Sequence, residues 1–308
     1  VSDRTDDRID DDRIVFILGS GRSGTTLLYK LLAAHPGVGY LSNYQSRLPA
    51  LPAAALLHRV PRQALGLKRR AWFGGQGNAY FEGRRGWSQF WVPAPAECES
   101  VFERAGVPHT PEPGFVLGEP GLSRLRQTFS TVLRAGGGQA LVCKRTANNR
   151  RVAVLRQAFP RCRFIHLVRD GRSVADSLVR VGWWADHELF WAGKTPRELK
   201  AEGASELHIA ARNWVEGMHQ IERGLQSVEA EGKHTLRYEQ LLADPVGELR
   251  RMLRFMGVAQ HDDARFETFI ASLAIKPAEA SWRRKWSPAD RESVTALQRD
   301  TLERWGYA

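Results

Sequence analysis

The stretch "FILGSGRSGTTLL", residues 16 to 28, constrains this chain more than any other. An unbroken apolar run starting at Ile14 stops at Gly19, and a second glycine, Gly24, closes a short polar loop. Beyond it, Leu27, Leu28, Leu31 and Leu32 recur at helical spacing until "HPG" ends the pattern. Strand, glycine-rich loop and helix in that order belong to a parallel sheet. The loop is either an anion cradle at a helix N-terminus or a tight glycine turn. A nucleotide-triphosphate P-loop would continue with Lys and then Ser or Thr. Here Thr25 and Thr26 follow instead, and the nearby cation is Arg22, inside the loop.

A second strand–helix series follows. "QALVCK" (139 to 144) predicts a strand, "RRVAVLRQAF" (150 to 159) a helix, "RFIHLVRD" (163 to 170) a strand and "GRSVADSLVRV" (171 to 181) a helix. Alternation of this kind predicts an α/β, P-loop-like three-layer fold, its central parallel sheet flanked by helices. A helical pattern over 205 to 258 is interrupted by a short strand, "HTLRYEQL", and a last helix follows "ASWRRKWSP". Residues 45 to 135, rich in Pro, Gly, Arg and Trp with weak periodicity, read as an elaborated, mostly helical insertion contributing to the acceptor site, not as a separate domain. We therefore expect a single domain over residues 13–308, preceded by a disordered acidic tail, residues 1–12.

That tail carries six Asp against two Arg, while the whole chain is +11, so the remainder is +15. Such a balance implies an anionic partner without choosing among cofactor, polymer, nucleic acid and membrane. Hydrophobic residues make up 43%, enough for a sizeable core, yet no run approaches the ~18–20 needed to cross a bilayer. Cys98, Cys143 and Cys162 have no metal-ligand or CxxC spacing and read as filler in a reducing cytoplasm.

Ligands bind beyond the carboxyl ends of parallel strands. Three predicted strands deliver marked residues there: the loop Gly19 to Thr26, then Lys144 and Arg145, then Arg169 and Asp170. Gly21 and Gly24 let backbone approach an anion, and Thr25 and Thr26 add hydroxyls. Arg169 serves either an anion or a neighbouring carboxylate such as Asp170. Ser173 and Ser177, four residues apart, share one helix face.

These motifs resemble those of sulfotransferases that use 3′-phosphoadenosine 5′-phosphosulfate (PAPS). "GSGRSGTTLL" is similar to their 5′-phosphosulfate loop, and "FIHLVRDGRSVADS" to their 3′-phosphate signature, an Arg followed eight residues later by Ser. "LRYEQLLADP" resembles a segment whose tyrosine lies near the adenine, and "SWRRKWSP" the basic–aromatic segment that closes over the nucleotide. The likeness covers residues 14 to 35 and 139 to 308 and is weak between 45 and 135. It implies transfer of a sulfuryl group to a hydroxyl, with PAPS as donor, PAP (adenosine 3′,5′-bisphosphate) as product and no metal. It implies cofactor contacts from Gly21, Arg22, Ser23, Gly24, Thr25, Thr26, Arg169, Ser177, Tyr238, Arg283 and Lys285. PAPS has no γ-phosphoryl chain, which accounts for the missing P-loop lysine.

The same resemblance assigns Arg22 and Lys144 to charge stabilisation on the departing oxygen. Where relatives carry a base after the first helix, Asn43 stands here, and Thr146 replaces a histidine of other members. Glu97 in "PAPAECES" is the first candidate base, with Glu99, Glu119 and His187 behind it. The acceptor is a small-molecule, glycan or lipid hydroxyl, with no nucleic acid partner. Trp87, Trp91, Trp183, Trp184 and Trp191 form either an aromatic wall or core. "LPAAALLHRVPRQALGLKRR" is either a solvated surface, a peripheral membrane contact or a grip on an acidic glycan. Two rival classes remain: a P-loop kinase-like phosphotransferase, opposed by the absent lysine, and a non-enzymatic polyanion-binding module.

Overall fold

Every residue of the first strand, β1 (Ile14–Leu18), is buried, and its side chains divide by parity. Val15 and Ile17 enter one core, while Ile14, Phe16 and Leu18 enter the other. This is the period of two that a strand covered on both faces requires. The computed structural model describes residues 10–74, 77, 91–259, 263–276 and 280–307, so the tail ahead of residue 10 lies outside it, as does Trp87.

β1 is the middle of a five-stranded, wholly parallel sheet in the order β2-β3-β1-β4-β5. Its other strands are β2 (Val38–Tyr40), β3 (Ala140–Lys144), β4 (Arg163–Val168) and β5 (Lys233–Arg237). The register sets Ile17 opposite Lys144 and Leu18 opposite His166, so the three strand ends lie side by side. β3 and β4 flank β1 on opposite sides, which makes the end of β1 the switch point of the sheet. Short β2 was not foreseen: "VGY" follows "HPG" directly and is too brief to show a period.

Helix α1 (Thr25–Ala34) covers one face. The opposite face is covered by α2 (Glu119–Gly136), α3 (Val152–Ala158) and the C-terminal half of α5 (Glu206–Leu225). Between α3 and α5 lies α4 (Gly171–Leu178), which joins the N-terminal half of α5 in a third core. At Gly171 a Cβ would lie 2.4 Å from the Trp214 ring, so α4 and α5 meet without room for a side chain.

The segment 45–135 is more than the insertion expected from its composition, because α2 is a layer of the fold. Leu122, Leu125, Phe129, Val132 and Leu133 are buried at helical spacing, and Phe129 packs on Phe16 at 5.8 Å and on Phe159 at 5.0 Å. Pro120 and Gly121 in the first turn hid that period. The basic stretch before it is largely structural. Lys68 donates to the Ala34 carbonyl (2.9 Å) at the end of α1, and Arg59 to the Ala135 carbonyl (2.7 Å) at the end of α2. Arg62 takes the Pro36 carbonyl at 2.8 Å. Cations at helix C-termini oppose the dipole and satisfy orphan carbonyls. Among the described residues no helix is long and apolar enough to cross a membrane. All three cysteines are buried and free.

Candidate active site

The loop after β1 is curled by two left-handed residues, Arg22 (φ 67°) and Gly24 (φ 93°). Gly24 caps α1 with no side chain accepting its first N–H groups, which leaves that positive helix end open to an anion. Ser23 turns its side chain into the loop. Its buried hydroxyl donates to the Ser20 carbonyl at 2.7 Å and pins the turn from inside. Asn149, which no sequence motif singles out, clamps the loop's start: its Nδ2 donates to the Gly19 carbonyl (2.9 Å) and its Oδ1 accepts from the Gly19 N–H (3.1 Å).

The end of β4 meets this loop directly. Arg169 donates to the Arg22 carbonyl at 2.9 Å, and Arg22 Nε donates to the Ser177 hydroxyl on α4 at 3.0 Å. The Arg169 guanidinium lies 4.6 Å from the centre of the Tyr238 ring, and that ring packs against Gly24, where a Cβ would meet it at 2.3 Å. Arg169 is not spent on Asp170. That carboxylate pairs with Arg172 at 3.0 Å and caps α4 through the Arg172 N–H. Arg169 Nε is buried with no hydrogen-bond partner among the described residues, a donor suited to an anion.

Lys144, at the end of β3, is 5% exposed, and a cation so placed needs a counter-ion. It is hydrogen-bonded to Glu97 and donates to the Thr26 hydroxyl at 3.2 Å. Glu97 also accepts from Arg145 at 3.0 Å. Burial, the largest single influence, opposes the charge on Glu97; Lys144 and Arg145 outweigh it and hold the carboxyl below its usual range. Glu97 arrives on a strap running beside the chain that follows β2. Asn43 exchanges two 3.0 Å bonds with the Ala94 backbone, and Ala96 N–H donates to the Leu41 carbonyl at 3.0 Å. Asn43 is thus a clamp for the carboxylate and not a substitute for it.

These groups surround one cavity of about 630 Å³. Its wall includes Gly21, Arg22, Gly24, Thr25, Thr26, Glu97, Lys144, Arg169 and Tyr238, all of them singled out from the sequence. Ser177 joins through Arg22. Of the other candidate bases, Glu99 is saturated by Arg145 (2.8 Å) and Arg151 (3.1 Å), and Glu119 pairs with Arg126 away from the wall. His187 is on the wall, its imidazole pushed below the ordinary range by burial and then by Arg150 and Arg145.

Arg283 and Lys285 are the basic residues expected at the nucleotide from "SWRRKWSP". Both are exposed and off the cavity wall. The buried members of that segment, Trp282 and Trp286, dock it on α4, with Trp286 Nε1 and Ser281 Oγ donating to Asp176 at 3.3 and 2.7 Å. Of the tryptophans, Trp184 is buried beside the cavity and half-exposed Trp183 lines its mouth. Trp191 bonds Asn213, and Trp91 is 70% exposed.

Residues 14–263 match the profile described as "Sulfotransferase family". The Mycobacterium tuberculosis (strain CDC 1551 / Oshkosh) protein "Omega-hydroxy-beta-dihydromenaquinone-9 sulfotransferase Stf3" is 25% identical over 135 residues, 44% of this chain and 32% of that protein. The matched region thus spans about a third of that relative's length. Among solved structures, sulfotransferase STF9 from Mycobacterium avium superposes with TM-score 0.60 at 16% identity, covering 95% of this chain and 76% of that one. Sulfotransferase STF1 from Mycobacterium tuberculosis H37Rv gives 0.56 at 16% identity, covering 93% and 75%. Those two likenesses carry the fold, and the profile match carries the family: the chain belongs to the sulfotransferases.

Proposed function

We propose that the chain moves a sulfuryl group from PAPS to the hydroxyl of a small-molecule, glycan or lipid acceptor. One observation carries the reading: the open N-terminus of α1 and the Arg169–Ser177 pair, from two different strand ends, meet through Arg22 in a single cavity. A nucleotide with an anionic group at each end of its ribose fits that arrangement, with its adenine near Tyr238. The 5′ group lies on the loop of residues 19–24 and the 3′-phosphate on Arg169 and Ser177. The residues 13–308 act as one domain.

The acceptor oxygen attacks sulfur, the bond from sulfur to the bridging 5′ oxygen breaks, and negative charge collects on that oxygen. Arg22 and Lys144 receive this charge; neither needs to surrender a proton, since the leaving phosphate is a stable anion. The acceptor's proton passes to Glu97. Its low pKa keeps it ionised, and the pull of Lys144 toward the departing oxygen frees the carboxylate to accept. The name of the mycobacterial relative records a hydroxylated acceptor, which supports an alcohol here.

Thermal unfolding with PAP, ATP–Mg²⁺ and a short DNA duplex separates this reading from its rivals. PAP at 100 times its Kd should add about 2.7 kcal/mol of stability, with little from the other two. An equal or larger shift with ATP–Mg²⁺ would return the chain to the kinases, and one with DNA alone to the polyanion binders.

A further inference from the structure

Beyond Lys144 and Glu97 the cavity has a second cationic wall that sulfuryl transfer does not use. Six cations line the cavity against one carboxylate, Glu97. Arg145 and Arg151 are matched by Glu97 and Glu99. Arg150, at the end of the turn Thr146–Arg150, is not. Its Nε donates to the Thr110 hydroxyl at 3.1 Å, one NH2 meets His109 Nδ1 at 3.2 Å, and its guanidinium sits 5.0 Å from the Phe190 ring. All these partners are neutral, and no carboxylate pairs with Arg150 among the described residues. Burial, and then the neighbouring charges of Arg151 and Arg145, lower its pKa to about 10, with Glu99 offsetting them only in part. A half-buried cation with spare donors, an aromatic face and open cavity in front of it is a receptor for an oxyanion attached to an apolar body.

We propose that the acceptor carries an oxyanion, a carboxylate or a phosphate monoester, bound by Arg150, with its apolar portion against Phe190 and Trp183. The inference rests on the sulfuryl-transfer reading, because it places this anion on the acceptor and not on the donor. His187, Arg150, Arg145 and the Glu97 carboxylate that Arg145 holds all line this one cavity.

Titration of the PAP-loaded protein with octanoate, octyl phosphate and 1-octanol tests the assignment. One or both anions should bind at least about tenfold tighter than the alcohol, and the better of the two names the group. The preference should vanish in Arg150→Gln and return in part in Arg150→Lys, while the thermal shift given by PAP stays unchanged in both. Equal affinities for the three probes, no binding of any, or an anion preference that survives Arg150→Gln would overturn the proposal. So would loss of the PAP shift in Arg150→Gln, which would hand the residue to the nucleotide. Absence of a PAP shift in the unaltered protein would instead sink the donor assignment, a separate failure with its own readout.

Discussion

Lys144 and Glu97 set each other's chemistry. A carboxylate held down by two cations stays charged well into acid, so the acid limb of the pH–rate profile should lie below the ordinary carboxylate range. Glu97→Gln should abolish that limb along with most turnover. A limb near the histidine range that persists in Glu97→Gln would transfer the role to His187. Lys144→Ala and Arg22→Ala should each cut turnover about 10²- to 10³-fold with the fold retained, the cost of one donor to a developing oxyanion. At this scale the sequence was legible where a residue's place at the cavity is written in its immediate neighbours. Arg22 inside the glycine loop and Lys144 ending a strand could be marked, and Glu97 could be guessed. Asn149, Asn43 and Arg150 could not, because each acts on a partner brought near only by folding: Gly19 is 130 residues from Asn149.

Strands and their loops were the readable elements, since a buried parallel strand is an uninterrupted apolar word and its anion loop needs glycine. β2 and α2 escaped for opposite reasons, one too short to have a period and the other begun by Pro120 and Gly121. In the closing segment 280–286 the basic residues stand exposed while the tryptophans anchor it to the fold. The loop itself makes a sharp forecast. Gly24→Ala puts a Cβ on a left-handed residue and within 2.3 Å of Tyr238, so the ring under Arg169 must shift. PAP binding, measured by titration calorimetry, should weaken at least about tenfold, or 1.4 kcal/mol. Gly21→Ala, where a Cβ meets nothing within 4 Å, should leave the unfolding temperature alone. Equal behaviour of the two variants would show that the turn is not strained as described.

The whole molecule buries titratable groups as well as apolar ones. His58 and His166 are 4% and 1% exposed, and burial drives their pKa values down to about 4 and about 3. Unfolded histidine titrates near 6.5, so below that pH the unfolded chain takes up protons that the folded one refuses. Stability is therefore full above about pH 6.5 and drains away as pH falls toward the folded values. Each excluded histidine costs about 2 kcal/mol by pH 5. Melting curves at pH 7 and pH 5 should show that loss, and His166→Asn should show less of it; an identical drop would place the acid sensitivity elsewhere. The contact of Arg22 with Ser177, and of Arg169 with the Arg22 carbonyl, has a last consequence. If the proposed donor is bound there, Arg22 belongs to both grips, and a nucleotide with a single charged end leaves the other hand half closed. Discrimination between coenzymes then comes less from any pocket's shape than from a handshake that only a doubly charged guest completes.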